Sequence, residues 1–437
     1  MERYDSYKDS CVDWIGQIPE HWASTSIKNV LISRQAGSWG EEPTSNKFNT
    51  TCLRIADFDY KKLQFEIKSD YTQRAYDFNE VQTKMLHKGN LLIEKSGGGD
   101  KTPVGRVVLY NLDLEYPMYA NFMERLVVND KFVLPSLMNY LFASLFSHGI
   151  VWKYIKAATG IQNLNISEYF SKEKVFLPPL SEQHAIAAYI DEETGKLDAA
   201  VEKLERMVEV LKERKQLIIS KAVTRGLDDS VPLKDSGIEW IGQIPEHWTI
   251  LQGKYLFSEN KTLNDHQDRK VLSLSYGKII LKQLSNDGLL PATYDNYQLI
   301  LKNYIVIRCT DLQNDKVSLR TAISKFDGII TNAYLALVPF SSTCPDYLNY
   351  LLRHWDNSKE LYRYGSGVRQ NLSWNDLKKL LLIVPPLYEQ QAIAAYLDEK
   401  VGKLDEAIEK QLRMIELLKE RKQILISDVV TGKIKIA

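Results

Sequence analysis

Apolar positions return every three and four residues over two long stretches of this chain. From Ser181 to Val223 the series is Ile190, Leu197, Val201, Leu204, Val208, Leu211 and Ile218. From Tyr388 to Val430 it is Leu397, Val401, Leu404, Ile408, Ile415, Leu418 and Leu425. This spacing predicts two long helices, each with a narrow a/d seam and charge on its remaining faces. Pro178-Pro179 and Pro385-Pro386 mark the starts, and Gly226 and Gly432 the stops. About 43 residues at ~1.5 Å each give a rod of roughly 65 Å. So narrow a seam on so long a helix needs a partner, and each stretch is the obvious partner of the other.

The rest of the chain also reads twice. Lys8-Asp9-Ser10 followed by Trp14-Ile-Gly-Gln-Ile-Pro-Glu-His-Trp22 returns as Lys234-Asp235-Ser236 and Trp240 to Trp248. A region of mixed pattern follows each time, Ala23 to Phe176 and the shorter Thr249 to Ile383, then the double proline and the helix. The middle regions share a skeleton. Asn90–Lys95 matches Asn303–Arg308, a short apolar strand ending in a base, and Gly105–Tyr110 or Ser318–Ile323 supplies a second strand. Asn121 and Asn332 each open a further apolar run. Pro135–Leu141 and Pro345–Leu351 read as buried helices with proline in the first turn. Gly160-Ile-Gln-Asn-Leu164 matches Gly367-Val-Arg-Gln-Asn-Leu372 with one insertion. The expected fold is α+β: two similar globular domains separated by two long antiparallel helices in a coiled coil, pseudo-twofold symmetric in the manner of a fused isologous dimer. The expected boundaries are 1–178 for the first domain, 179–226 for its helix, 227–385 for the second domain and 386–437 for the second helix and tail. A framework kept while loops change is how a binding domain alters what it binds.

Composition narrows the class without naming a task. At 437 residues, 44% hydrophobic and 26% charged, the chain is ordinary for a globular protein of two or three domains. No apolar run approaches a membrane span, the N-terminus lacks a signal-peptide core, and Cys11, Cys52, Cys309 and Cys344 form no CxxC pair. A cytoplasmic location follows as the expectation. With 56 basic and 56 acidic residues the net charge is zero, so nucleic acid is attractive only where Lys and Arg concentrate locally.

The whole chain resembles the specificity (S) subunits of type I restriction–modification enzymes, the HsdS family. The resemblance rests on the Trp-Ile-Gly-x-Ile-Pro-x-His-Trp opening of each repeat, the Pro-Pro-Leu-x-Glu-Gln-x-Ala-Ile entry to each helix, and Leu-Lys-Glu-Arg-Lys-Gln at Leu211–Gln216 and Leu418–Gln423. It implies that the globular domains are target-recognition domains, each reading one half of an asymmetric bipartite site on duplex DNA. The rod fixes the gap and docks two modification subunits, which bind S-adenosylmethionine and methylate adenine. Restriction subunits, which use ATP and Mg, join for cleavage, and the chain itself binds no cofactor. One departure is Gln411, on the seam where the first helix has Leu204. With Leu412 beside it, a local register change becomes an option there.

Within the first domain Glu94–Thr102 joins two strands. Gly97, Gly98 and Gly99 let the backbone approach a polyanion, Lys95, Lys101 and Arg106 suit phosphates or guanine edges, and Ser96 and Thr102 complete the loop. A plain flexible hairpin is the other reading of such a loop. A nucleotide-binding Walker A loop fails, because Asp100 precedes Lys101 and Lys95 takes the upstream glycine position. The equivalent loop in the second domain carries Arg308, Thr310, Gln313, Asn314, Lys316 and Arg320; Gln313 and Asn314 can pair with adenine, and the bases suit phosphate or guanine. A solvated turn is the alternative. Asn121, Asn332 and Tyr334 either face a groove or end buried strands. Gln162 and Asn163, like Arg369, Gln370 and Asn371, either contact DNA or cap the following helix. Trp14, Trp22, Trp240 and Trp248 read as core residues seating each domain on the rod. Lys212–Lys215 and Lys419–Lys422 read as a solvated face that, at the rod's ends, can also meet DNA backbone or a partner acid. No methylase motif, S-adenosylmethionine loop, metal cluster or nuclease constellation is found in the sequence. A methylation-only or phage-exclusion system, and a protein-only coiled-coil adaptor, stand as alternatives.

Overall fold

The computed structural model describes residues 3–99, 102–158, 160–265, 269–282, 293–314, 320–367 and 370–436. The chain divides into two compact units, Met1–Glu205 with Arg413–Ala437, and Arg206–Leu412.

In the first unit a mixed sheet has the strand order Leu31–Ala36, Met123–Val128, Leu91–Glu94, Val107–Leu109, Gln64–Phe65, Phe58–Asp59. Alternation of side chains across the pleat sends Leu91 and Ile93 to one core and Leu92 to another. The first core takes in the helix Pro135–Ser147, the opening segment with Trp22, and the helix residues Ile186, Ile190, Ile426, Val429 and Val430. The second holds Cys52, Tyr76, Val108 and Met118 behind the sheet.

The second unit repeats the central four strands in the same order: Phe257–Glu259, Leu335–Pro339, Ile305–Ile307, Thr321–Ile323. Its helix Pro345–Asn357 again starts on proline. Ile305 and Ile307 join the core that contains Trp248, Leu351 and Leu397, whereas Val306 belongs to the smaller cluster behind. The sequence match of Asn90–Lys95 to Asn303–Arg308 is therefore off by one. Arg308, not Ile307, stands where Glu94 does: Glu94 N–H donates to the Arg106 carbonyl at 3.0 Å, and Arg308 N–H to the Arg320 carbonyl at 2.9 Å. The shared Asn misleads because side-chain period is two in a strand, and a slip of one would turn every apolar residue to the wrong core.

The two long helices span Leu180–Arg225 and Leu387–Val430, starting directly after the double prolines. Gly226 and Gly432 follow with φ of +76° and +74°, the left-handed conformation that ends a helix. Within each unit the helix segments run antiparallel. In the first, Glu182 and Gly432 both meet Trp22, while further along Asp198 pairs with Lys422 Nζ at 2.6 Å. In the second, Glu389 and Gly226 both meet Trp248, and Asp405 pairs with Lys215 Nζ at 2.6 Å. The two ion pairs are one pair met twice, since Asp198 corresponds to Asp405 and Lys215 to Lys422 in the repeats. So the basic runs do meet a partner acid, on the other helix. Gln411 is half-buried on the seam and Leu412 is 47% exposed, so the seam runs on in unchanged register and accommodates the glutamine.

The two motifs repeated most faithfully in the sequence fold onto each other as a clasp. Trp22 Nε1 donates to Glu182 at 3.1 Å and His21 Nε2 lies 2.8 Å from the same carboxylate. Trp248 and His247 meet Glu389 at 2.9 and 2.6 Å. The adjacent Gln183 receives Leu134 N–H at 2.9 Å and donates to the carbonyls of Phe132 and Pro178; Gln390 likewise receives Cys344 N–H and donates to Pro385. Trp22 and Trp248 are core residues, and Trp14 and Trp240 are half-buried against His148 and His354.

His354 supplies a pH prediction. It is buried beside Trp240, 5.2 Å between rings, and burial pushes its imidazole down to about 4. An unfolded histidine titrates near 6.5, so between about 6.5 and 4 the unfolded chain binds the extra proton. The second unit should lose stability as pH falls through that window, by up to about 3 kcal/mol at ~1.4 kcal/mol per pKa unit. Denaturant titrations of wild type and His354→Gln at pH 7.5 and 4.5 should differ in pH slope, with the flatter slope in the variant.

Candidate nucleic-acid interface

In each unit the four-strand core ends in a loop at the same place. The strand Leu91–Glu94 runs into Lys95-Ser96-Gly97, and Ser96–Gly97 pairs antiparallel with Gln162–Asn163 of the strand Ile161–Leu164. Lys95 and Ser96 N–H groups both donate to the Phe122 carbonyl, at 2.8 and 3.3 Å. Three segments far apart in sequence, Lys95–Gly99 with Thr102, Asn121–Phe122 and Gln162–Asn163, thus form one surface. The second unit assembles likewise. Leu372 N–H donates to the Cys309 carbonyl at 2.8 Å, as Leu164 N–H does to Lys95 at 2.9 Å, and Asp311 N–H donates to Asn371 Oδ1 at 2.8 Å.

The side chains divide into those that build the surface and those that face outward. Asn163 accepts from Ser96 Oγ, Gln162 Oε1 accepts Val104 N–H at 3.2 Å, and Asn371 holds Asp311. These residues fasten the loops, and the option that they cap the next helix is removed: Asn165 caps Ile166–Lys172, and Ser373 caps Trp374–Leu377. Ser96 is buried, Gly97 and Gly98 take φ of +112° and +61°, and Gly99 and Thr102 exchange backbone hydrogen bonds, which closes the loop tightly. Thr102, Asn121, Arg308, Thr310, Gln313 and Asn332 are exposed, and Lys95, Tyr334 and Gln370 are half-buried. Asp311 and Gln370 hold φ of +59° and +48°, an uncommon conformation for non-glycine residues, on the two sides of this contact. Lys101, Lys316, Arg369 and the side chain of Asn314 lie outside the described residues.

Two arginines take roles other than the expected phosphate or guanine contacts. Arg320 is 5% exposed, and its guanidinium donates to the carbonyls of Thr310 and Asp311 at 2.6 and 2.9 Å, pinning the loop from beneath. Arg106 forms a two-point pair with Glu94, 2.9 Å at each contact, and lies 3.6 Å over the Tyr60 ring. Glu94 is 1% exposed and also accepts from the Tyr60 hydroxyl. Burial and that carboxylate raise the phenol's pKa, keeping it a donor. Both arginines sit at the base of the loop because a strand residue adjoining a buried polar cluster satisfies it first. No sequence signal marked Tyr60 as the partner of Arg106 and Glu94, since it lies more than thirty residues before Glu94. The cysteine chemistry is quiet: burial pushes the Cys309 thiol up to about 12 and raises that of Cys52.

Comparison with known proteins gives this arrangement a class. The family model described as "Type I restriction modification DNA specificity domain" matches residues 251–417. The putative type I restriction enzyme MjaX specificity subunit of Methanocaldococcus jannaschii is 23% identical over 439 residues, 97% of this chain and 96% of its own length. The StySPI specificity subunit of Salmonella potsdam is 23% identical over 432 residues, 91% of this chain and 85% of its own. A solved chain from work on complex assembly and conformational transition of the type I R-M system shares the fold with a TM-score of 0.67 at 15% identity, covering 95% of this chain and 99% of that one. The HsdS subunit of Thermoanaerobacter tengcongensis does so at 0.50 and 14% identity, over 95% and 98%. The duplicated domain-and-helix architecture is the fold that these solved chains share. Over most of its length the chain is similar to specificity subunits of type I restriction–modification systems, and its residues 251–417 match their DNA specificity domain. Among the described residues, no helix is long and apolar enough to cross a membrane.

Proposed function

We propose that this chain is the non-catalytic DNA-reading subunit of a type I complex, in which each domain reads one half of a bipartite duplex site and the paired helices set the gap. The observation that carries this reading is the convergence of the same segments in both units, Lys95–Gly99 with Gln162–Asn163 and Arg308–Gln313 with Gln370–Asn371, on one scaffold but with different side chains. Different side chains at one place on a shared frame suit two unlike half-sites. Lys95, Thr102, Asn121, Arg308, Thr310, Gln313 and Asn332 are the proposed DNA-contacting residues, with Asn163, Asn371, Arg106 and Arg320 supporting them.

The helices carry a second, outward apolar stripe, Met207, Val210 and Leu217, repeated as Met414, Leu417 and Ile424. A stripe present twice suits a partner present twice, two modification subunits that carry S-adenosylmethionine and methylate adenine. Restriction subunits using ATP and Mg would complete the assembly. Mapping methylated adenines across the host genome with and without this gene tests the reading. One split motif with a fixed gap should vanish with the gene; an unchanged methylation map would refute the proposal.

A further inference from the structure

Two large apolar side chains stand in the middle of the first domain's polar surface. Phe122 and Ile161 are each 50% exposed. They flank one two-residue strand: the Phe122 carbonyl receives Lys95 and Ser96 N–H, and Ile161 immediately precedes Gln162, which pairs with Gly97. Their backbones are fixed, Phe122 on the turn between Met118–Tyr119 and Met123–Val128, and Ile161 at the head of its strand. Their neighbours Asn121, Thr102 and Asn163 are polar and exposed. In the second unit the residue after the matching Asn332 is Ala333, so the aromatic belongs to the first domain alone. Single exposed apolar residues are common on surfaces. Two held rigidly on either side of one recognition strand, with the aromatic absent from its twin, ask for an apolar ligand.

We infer that Phe122 and Ile161 are specificity residues that read thymine methyl groups in the half-site of the first domain. This rests on the DNA-reading function proposed above. The argument is one of chemistry: phosphates and the polar edges of bases give an exposed phenyl ring nothing to bind. The C5-methyl of thymine is the apolar group that base pairs present in the major groove. Covering one methyl corresponds to roughly a fourfold change in affinity.

The test uses the chain in complex with its modification subunits. The half-site of the first domain is assigned by domain exchange, and its thymines are then replaced singly by deoxyuridine, which lacks only the methyl. Wild type should lose about fourfold in affinity at one or two positions, and none at thymines of the other half-site. Phe122→Ala should bind the natural duplex about fourfold to tenfold more weakly and be indifferent to deoxyuridine at one of those positions. Ile161→Ala should do the same at a neighbouring one. A first half-site without thymine overturns the inference. So does a Phe122→Ala protein with wild-type deoxyuridine sensitivity, or one that weakens equally on every duplex, as a wedge between base steps or a purely structural residue would. A wild-type complex that binds no duplex at all refutes the proposed function itself, a result distinct from these.

Discussion

Replacing Ala23–Phe176 with the corresponding region of another family member should change one half of the methylated site completely and leave the other half and the gap intact. The substituted segment contains every strand of the first four-strand core and all three segments of its surface, Lys95–Gly99 with Thr102, Asn121–Phe122 and Gln162–Asn163. It leaves in place the Trp22–Glu182 clasp and the Asp198–Lys422 pair. Each mismatched base pair costs a DNA reader about 1–3 kcal/mol, roughly additively at separated positions. A change of three bases therefore corresponds to roughly 3–9 kcal/mol, enough to abolish methylation at the original sites. Adenine-methylation sequencing reads both halves at once. Alteration of both halves would mean that the two domains do not read independently.

Trp22→Ala should be among the most damaging single substitutions in the first unit. Trp22 is fully buried, 6.2 Å from the Tyr4 ring and against the chain turn at Gly432, so removing the indole leaves a cavity where opening segment and helix ends meet. Such truncations cost about 3–5 kcal/mol. A further penalty falls on Glu182, which is buried and would lose one of its donors, Trp22 Nε1, retaining His21 and Tyr4. In a unit of this size the loss should lower the melting temperature by roughly 10 °C or more. Trp22→Phe, which keeps most of the packing and removes the N–H, should fall between. A drop of under about 1 kcal/mol in Trp22→Ala, within the range of ordinary surface substitutions, would show that the clasp does not hold the unit together.

Elements governed by local chemistry are legible in the sequence. The double prolines and glycines bound both long helices to within a residue or two, and the three-four spacing of Leu197, Val201, Leu204 and Val208 picked out positions that are shielded in the fold. The α+β duplication was equally plain, because the Trp-to-Trp segment and the proline-started helices recur. What the sequence hid was tertiary. The pairing of Asn90 with Asn303 placed the strand one residue out, because a loop can absorb a residue that a buried strand cannot. Arg320 and Arg106 read as free cations since nothing nearby in sequence announces the carbonyls of Thr310 and Asp311 or the Tyr60–Glu94 pair that occupy them. Asn163 and Asn371 read as either readers or caps; Asn165 and Ser373 take the capping positions, and the bonds from Ser96 and Asp311 that make both asparagines loop fasteners join segments far apart in sequence.

The aspartate–lysine contact between the long helices carries one further lesson. Each helix owns both members, Asp198 and Lys215 in the first, Asp405 and Lys422 in the second, and each gives one and takes one. A truncated gene encoding a single repeat would thus retain lock and key together. Two such half-length products could zip into a homodimer, whose identical domains would then favour a palindromic rather than a lopsided DNA target.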